Sequence, residues 1–428
     1  MARKYDIIIF GASGYTGAYV VEEAVNCLKS GKNIPKFTWA VAGRSGKKLQ
    51  ETLDQVSKLT GVDVKNVDKI VADSGKPESL RQMAAQCSVV VNVVGPYDFY
   101  GEDVIKACLA EGTHHLDISG ETQFLEKMQV LYSEEAKAKG VYIVGTCGYD
   151  SIPADCGVTY LQQNFEGEIN SVENYASMGL KDTMKGGGLN TGTWNSAINY
   201  LASWRQLKEL RKKLFPKPIP KPKYEVTQNW PIHNNKEART WCIPFIGVDE
   251  SVVERSQYLF HTEEKRRPIQ FRAYSQFSYL IICLGLGFAM GVYFLLSQFQ
   301  FGRDLLEKYP GLFTFGMVKS GGPTREQAAN GTFKFILTAY GWSEKLAEPT
   351  DQHTTPPNKK MRLIIYGENP AYAATAKMLL QSAVTILEEN DKMPSSGGVY
   401  PPGFAFDKTT LIPRIQSRGI EFRLINNW

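Results

Sequence analysis

The chain has 428 residues and lacks several features that would place it at once. No C-x-x-C pair occurs among its seven cysteines, Cys27, Cys87, Cys108, Cys147, Cys156, Cys242 and Cys283. Zinc ribbons, zinc fingers and disulfide scaffolds are thereby excluded as readings, and free thiols in a reducing intracellular compartment are expected. Histidine is scarce, with five residues, and no metal site is expected. His114 and His115 fall in a strand-like run, where a structural role is the expectation. The charge excess is small: 49 basic against 44 acidic residues leave +5, too little to argue for nucleic-acid binding. No secretory signal is expected, because the apolar run Ile7 to Phe10 ends at once in a glycine loop. No internal repeat is visible.

What is present is alternation. Apolar runs at Tyr5 to Phe10, Phe37 to Ala42, Val67 to Ala72, Ser88 to Val94, Thr113 to Ile118 and Val141 to Gly145 are separated by helix-like stretches. Strands apolar throughout, with helices between them, predict a parallel sheet covered on both faces, which is the doubly wound Rossmann architecture. The pattern breaks at Tyr149. Asn170 to Met178, Phe333 to Tyr340 and Arg362 to Tyr366 read as strands, and Thr193 to Leu214 as one amphipathic helix. Phe215 to Lys223, FPKPIPKPK, reads as an extended linker. The expected organisation is α/β: a dinucleotide-binding domain over 1–148, an α+β substrate or dimerisation domain over 149–390, and a tail, 391–428, packing back on the core.

The turn after the first strand is Gly11-Ala12-Ser13-Gly14-Tyr15-Thr16-Gly17. In this G-x-x-G-x-x-G spacing Gly11 permits the tight turn, Gly14 lets a diphosphate approach the backbone, and Gly17 brings helix close to strand. Ser13, Tyr15 and Thr16 complete the loop that would hold the diphosphate at a helix N-terminus. The second strand ends in Gly43-Arg44-Ser45-Gly46-Lys47-Lys48. The acid that binds the ribose diol of NAD(H) is missing there, and Arg44, Ser45 and Lys48 suit the 2′-phosphate of NADP(H) instead. NADP(H) is therefore expected over NAD(H). Asp73, after the third strand, is a candidate for the adenine edge. Val94, Gly95, Pro96 and Tyr97, after the fourth, are candidates for the nicotinamide side.

At these residues the chain resembles the animal branch of the saccharopine dehydrogenase-like oxidoreductases. The resemblance rests on GASGYTG, AGRS, Asn92 to Tyr97, Asp117-Ile118-Ser119-Gly120-Glu121, Gly148 to Asp155, Gly397 to Gly403 and Gly419 to Phe422. It implies NADP(H) binding strongly and lysine metabolism, the chemistry in the family name, only weakly, and it implies association with lipid droplets and other membranes. A related mycobacterial branch reduces enoyl groups on lipid-like chains.

From Ala273 to Gly302 no residue is charged. About twenty apolar residues as helix span ~30 Å, a bilayer core. The chain beyond reads as more of the same soluble fold, so a helix that dips into or lies along a lipid surface is expected rather than a simple crossing. A droplet monolayer or the cytosolic face of a membrane such as the endoplasmic reticulum is the expected location. A core helix or dimer interface is the alternative.

No residue stands out as the catalyst. Tyr97, Tyr149, Asp150, Ser151 and Asp155 cluster at predicted strand ends, and Ser151-x-Pro153-x-Asp155 also reads as an N-cap with early proline and acid. The Gly186-Gly187-Gly188 loop is a candidate substrate lid. The sequence points to an NADP(H)-dependent oxidoreductase for a small, apolar substrate, with a homodimer as a further expectation. The alternatives are a non-catalytic NADP(H)-binding protein and an amino-acid dehydrogenase.

Overall fold

The computed structural model describes residues 3–30, 36–183, 188–203, 207–229, 231–236, 238–245, 247–319 and 321–425. Its strands in chain order are β1 (Tyr5–Phe10), β2 (Trp39–Gly43), β3 (Lys69–Val71), β4 (Cys87–Asn92), β5 (His114–Asp117), β6 (Tyr142–Val144), β7 (Glu168–Leu180) and β8 (Leu189–Asn190). They continue with β9 (His233–Asn235), β10 (Thr240–Pro244), β11 (Gln270–Phe277), β12 (Val318–Lys319), β13 (Gly331–Trp342), β14 (Lys359–Glu368), β15 (Gly398–Tyr400) and β16 (Glu421–Ile425).

The first sheet has the order β15-β6-β5-β4-β1-β2-β3 and is parallel throughout. Its central strands are hydrophobic on both faces because both are covered: Ile7, Ile8 and Ile9 on β1, and Val89, Val90 and Val91 on β4, are wholly buried. This is the doubly wound sheet predicted from the alternation, with one addition. The seventh strand comes from the C-terminal region, where β15 pairs with β6. The helix Thr375–Glu388 also returns to this sheet, and Gln381 Nε2 donates to Cys27 Sγ of α1 (Tyr15–Ser30) at 3.4 Å.

The second sheet, β16-β14-β13-β7-β11-β10-β9, is mixed. Only β7 and β11 run parallel within it; the other neighbours are antiparallel. Its inner face packs on the helix Gly157–Asn164. A Cβ on Gly157 would stand 2.9 Å from Leu337 Cδ2 and 3.2 Å from Ile365 Cδ1, so the small residue sets how closely helix and sheet approach. The last strand, β16, closes the β14 edge, so the C-terminal region contributes to both sheets.

Three local expectations change. The segment without charge is not one element: Ala273 to Phe277 belong to β11, and only Leu280–Ser297 forms the apolar helix, followed by a short helix, Gln300–Lys308. Alternating burial along β11 could have revealed a strand, but it merges with the apolar run in sequence. The single helix expected over Thr193 to Leu214 is two, Thr191–Ser203 and Leu207–Leu214, with residues 204–206 outside the described residues. Ser151 is not a conventional N-cap. Its φ is +101°, its side chain makes no capping bond, and a π-helical turn, Ile152–Cys156, follows it.

The apolar helix Leu280–Ser297 is largely uncovered. Ile281 is 73% exposed and Phe288 77%, and only Cys283 and Ser297 are buried. Phe299, Phe301, Leu312 and Phe315 extend the exposed apolar surface beyond it. A core helix of this composition would be buried, so this alternative does not hold within the chain itself.

Candidate functional site

The glycine loop forms as the spacing requires. Gly11 has φ +90°, and a Cβ there would lie 2.7 Å from Val94 Cγ2. Gly17 matters more: its Cβ would fall 2.2 Å from the Gly11 carbonyl oxygen. A side chain at either position would push α1 off the strand. Gly14 is exposed, and its N–H is turned inward to the Gly11 carbonyl at 2.9 Å. The first turn of α1 then presents Tyr15, Thr16 and Gly17, whose N–H groups have no acceptor within their own helix. Loop and helix end thus form a cradle for a diphosphate.

At the end of β2, Arg44 is exposed and has no hydrogen-bond or ion-pair partner among the described residues. A Cβ on Gly43 would stand 3.6 Å from Ser13 Oγ, so the Arg44 turn adjoins the glycine loop. Ser45 Oγ accepts from Lys48 N at 3.3 Å and caps the helix Gly46–Thr60, while the Lys48 side chain is exposed. Asp73 Oδ1 accepts from Gly75 N at 3.1 Å. The residues present fit NADP(H): a cradle that a Cβ would fill, and beside it an unpaired guanidinium with no acid in the same turn.

A cavity of about 550 Å³ opens from this loop toward the second sheet. Gly14, Tyr15, Thr16, Gly95, Tyr97, Tyr149 and Asp150 line it together. Val94 and Pro96 flank that stretch of loop, Val94 N donating to Asn92 Oδ1 at 3.0 Å. Arg44, Ser45, Lys48 and Asp73 are not among its lining residues. Nor are Ser151 and Asp155, which are buried elsewhere. Ser151 Oγ donates to Asp249 Oδ1 at 3.1 Å. Asp155 Oδ2 accepts from Gly403 N at 2.6 Å and Ser256 Oγ at 2.8 Å, tying the C-terminal region to the π-helical turn.

Tyr97 is committed to structure: its hydroxyl donates to the Asn92 carbonyl at 3.1 Å, and its N–H donates to Glu121 Oε1 at 3.0 Å. Tyr149 packs edge-on against Phe333 and Phe335, and burial, with the nearby Asp150 and Asp249 charges, holds its hydroxyl well above the ordinary range. Asp150 differs from both. It opens on the cavity, makes no hydrogen bond or ion pair among the described residues, and surrounding protein raises its carboxyl to about 6. Asp117, against the Ser119 and Thr146 N–H groups, is raised by burial to about 7, and His115, whose Nδ1 lies 3.8 Å from the Asp117 carboxyl, is lowered by burial to about 3.

Several walls escaped the sequence reading. Glu121 accepts from Tyr97 N, from Asp98 N at 2.7 Å and from Ser196 Oγ at 2.8 Å, and so fixes three elements around the cavity. Trp194, Ile198 and Leu201 come from the helix Thr191–Ser203, and Met290 and Tyr293 from the apolar helix itself. Trp194 and Tyr293 meet edge to face with centroids 5.2 Å apart. The uncovered helix therefore has one side on the cavity. Gly186 and Gly187 of the candidate lid lie outside the described residues, and Gly188 packs against Pro323.

Comparisons with known proteins agree with this geometry. The profile of the saccharopine dehydrogenase NADP binding domain matches residues 7–144. The chain is 39% identical to the human saccharopine dehydrogenase-like oxidoreductase over 99% of its length and 98% of the relative's. It is also 39% identical to a Caenorhabditis elegans protein named lipid droplet localized protein, over 98% of each. Among solved structures, saccharopine dehydrogenase (L-Glu forming) from Saccharomyces cerevisiae aligns over 99% of this chain and 100% of its own, with TM-score 0.56 and 14% identity, a likeness of fold. The phosphate cradle, the mixed second sheet and this full-length identity together make the chain a member of the saccharopine dehydrogenase-like oxidoreductases.

Proposed function

We propose that the protein is an NADP(H)-dependent oxidoreductase working at a lipid droplet or the cytosolic face of a membrane, on an apolar substrate that enters from the lipid phase. The observation that carries this reading is a single one: the exposed apolar helix supplies Met290 and Tyr293 to the same cavity that Gly14, Thr16 and Gly95 line. A substrate leaving lipid along that helix meets the cofactor side without crossing water. The worm relative's name supports the lipid location.

In this reading Gly11, Ser13, Gly14, Tyr15, Thr16 and Gly17 seat the diphosphate, and Arg44, with Ser45 and Lys48, seats the 2′-phosphate. Asp73 lies on the adenine side, and Val94, Gly95, Pro96 and Tyr97 on the nicotinamide side. The nicotinamide, when bound, supplies or takes the hydride. Asp150 exchanges the accompanying proton, since a carboxyl at about 6 is occupied in both states near neutrality.

No Lys, Arg or His lines the cavity among the described residues. A dicarboxylic amino acid would need such partners, so the amino-acid dehydrogenase reading loses support. The test is turnover by the full-length chain with long-chain carbonyls, enones and amines, followed through the nicotinamide absorbance. Asp150→Asn is expected to slow the reaction by ~100-fold or more while NADPH affinity holds. Arg44→Asp is expected to weaken NADPH by ~10–100-fold and NADH little. Equal losses for the two nucleotides would overturn the NADP assignment. Tight NADPH binding without turnover across the panel would favour the non-catalytic reading.

A further inference from the structure

The cavity's charged groups are all of one sign. Among its described lining residues Glu121 and Asp150 are the carboxylates, and no cation faces them. Glu121 is spent, accepting three hydrogen bonds from Tyr97 N, Asp98 N and Ser196 Oγ. Asp249, on the neighbouring helix Asp249–Glu264, is wholly buried and held by Ser151, and burial, with the Asp150 charge, pushes its carboxyl well above the usual range. Tyr149 beside it stays a neutral phenol. Asp150 is left as an exposed carboxylate on the cavity wall, without a partner among the described residues.

A lone carboxylate on an otherwise apolar wall attracts a cation, and the attraction strengthens as the ligand displaces the cavity's water. A carboxylate or phosphate brought to the same place would be repelled by Asp150 and find no donor pair to replace its water. The remaining walls, Met178, Ile198, Leu201, Met290 and Tyr293, suit a hydrocarbon chain.

We infer, resting on the cavity's being the substrate site, that the substrate is an apolar amine or its iminium, with the nitrogen paired to the Asp150 carboxylate and the chain lying along the Thr191–Ser203 and apolar helices. Lipids headed by carboxylate or phosphate are excluded by the same carboxylate.

The experiment uses hexylamine, hexanol and hexanoate, which share a chain and stay dissolved, with the full-length protein. Binding is read by Trp194 fluorescence, with Trp194→Phe as the control that locates the signal. Hexylamine is expected to bind at least ~10-fold tighter than hexanol, with hexanoate weakest. Asp150→Asn should bring hexylamine to the level of hexanol, and Asp150→Glu should restore the preference. Calorimetry in buffers of different ionisation enthalpy gives a second readout. Near pH 6 hexylamine should release roughly half a proton as the ammonium drives Asp150 to its charged form, and hexanol none. Equal binding of all three, or a ranking unchanged in a folded Asp150→Asn protein, overturns the amine assignment and leaves the apolar cavity standing. Failure of all three to bind overturns the cavity as substrate site together with it.

Discussion

Two apolar helices in this protein meet opposite fates. Thr375–Glu388 buries eleven of its fourteen residues between α1 and the parallel sheet. Leu280–Ser297 is more apolar and longer, yet buries two of eighteen. Hydrophobicity did not choose between them. The first carries Gln381, Ser382 and Thr385 inside, and each has a partner: Gln381 reaches Cys27, while Ser382 and Thr385 donate to the carbonyls four residues back. The second has little polar functionality to satisfy, and three of its glycines, Gly285, Gly287 and Gly291, face open space. The buried helix is shaped to one set of neighbours. The exposed one meets the helix Thr191–Ser203 along one side, at Trp194 and Tyr293, and leaves the rest open, which suits a fluid apolar phase that needs no matching contour.

The largest expected effect breaks that contrast at its exposed end. Replacing Ile281, Leu284, Phe288 and Leu295 together by Lys should move the protein from the floating lipid fraction to the soluble one, with the melting temperature within ~2 °C of the parent, since these side chains touch water and not core. Aggregation or a large drop in melting temperature would mean that the helix is part of the protein's own packing.

A paired truncation sharpens it next. Leu379→Ala, in the buried helix, should cost ~2–5 kcal/mol in chemical unfolding, because the side chain is wholly enclosed. Phe288→Ala removes a larger group that is 77% exposed and should cost under ~0.5 kcal/mol. Similar costs at the two sites would erase the distinction between the helices.

The smallest effect concerns the buried carboxyls that the covered half tolerates. Burial raises Asp155 to about 7 against 3.8 for the free group. The folded chain therefore keeps this proton over a range in which the unfolded chain releases it. That contribution to stability is complete below about pH 3.8 and is lost as pH rises toward 7. Glu389 works the other way: burial opposes its ionisation, but hydrogen bonds from Thr410, Lys392 and Arg414 outweigh it and bring the carboxyl to about 2. Its contribution is present above about pH 4.5 and fades as pH falls toward 2. Asp155→Asn should flatten the decline in melting temperature between pH 5 and 7 by roughly 1–2 °C per pH unit. An unchanged slope would show that Asp155 is not protonated in the folded state.

The cofactor half was legible in the sequence because its chemistry is local. Gly14 and Gly17 are each set by the Gly11 carbonyl a few residues away, Gly11 itself turns at a positive φ, and Arg44 directly follows the strand that positions it. The substrate side was not. Thr16, Gly120, Asp150, Trp194, Tyr293 and Thr375 meet around one cavity from six separate parts of the chain. Nothing in the spacing of Trp194 and Tyr293 announces their edge-to-face contact. Asp150 was recognisable as a candidate beside Tyr149, Ser151 and Asp155, but only packing separates it from them: Asp155 and Ser151 find buried partners, and Asp150 finds none among the described residues.

By itself the sequence determined the parallel sheet, the glycine cradle, the basic turn without an acid and the presence of a helix fit for lipid. Each follows from periodicity or from sterics over a handful of neighbouring residues. Tertiary structure alone decided that β15 and β16 divide the C-terminal region between two sheets, that the exposed apolar helix also walls the cavity, and that one aspartate there has no partner among the described residues. Those outcomes depend on contacts between residues tens to hundreds of positions apart, whose burial and pairing exist only once the chain has closed on itself.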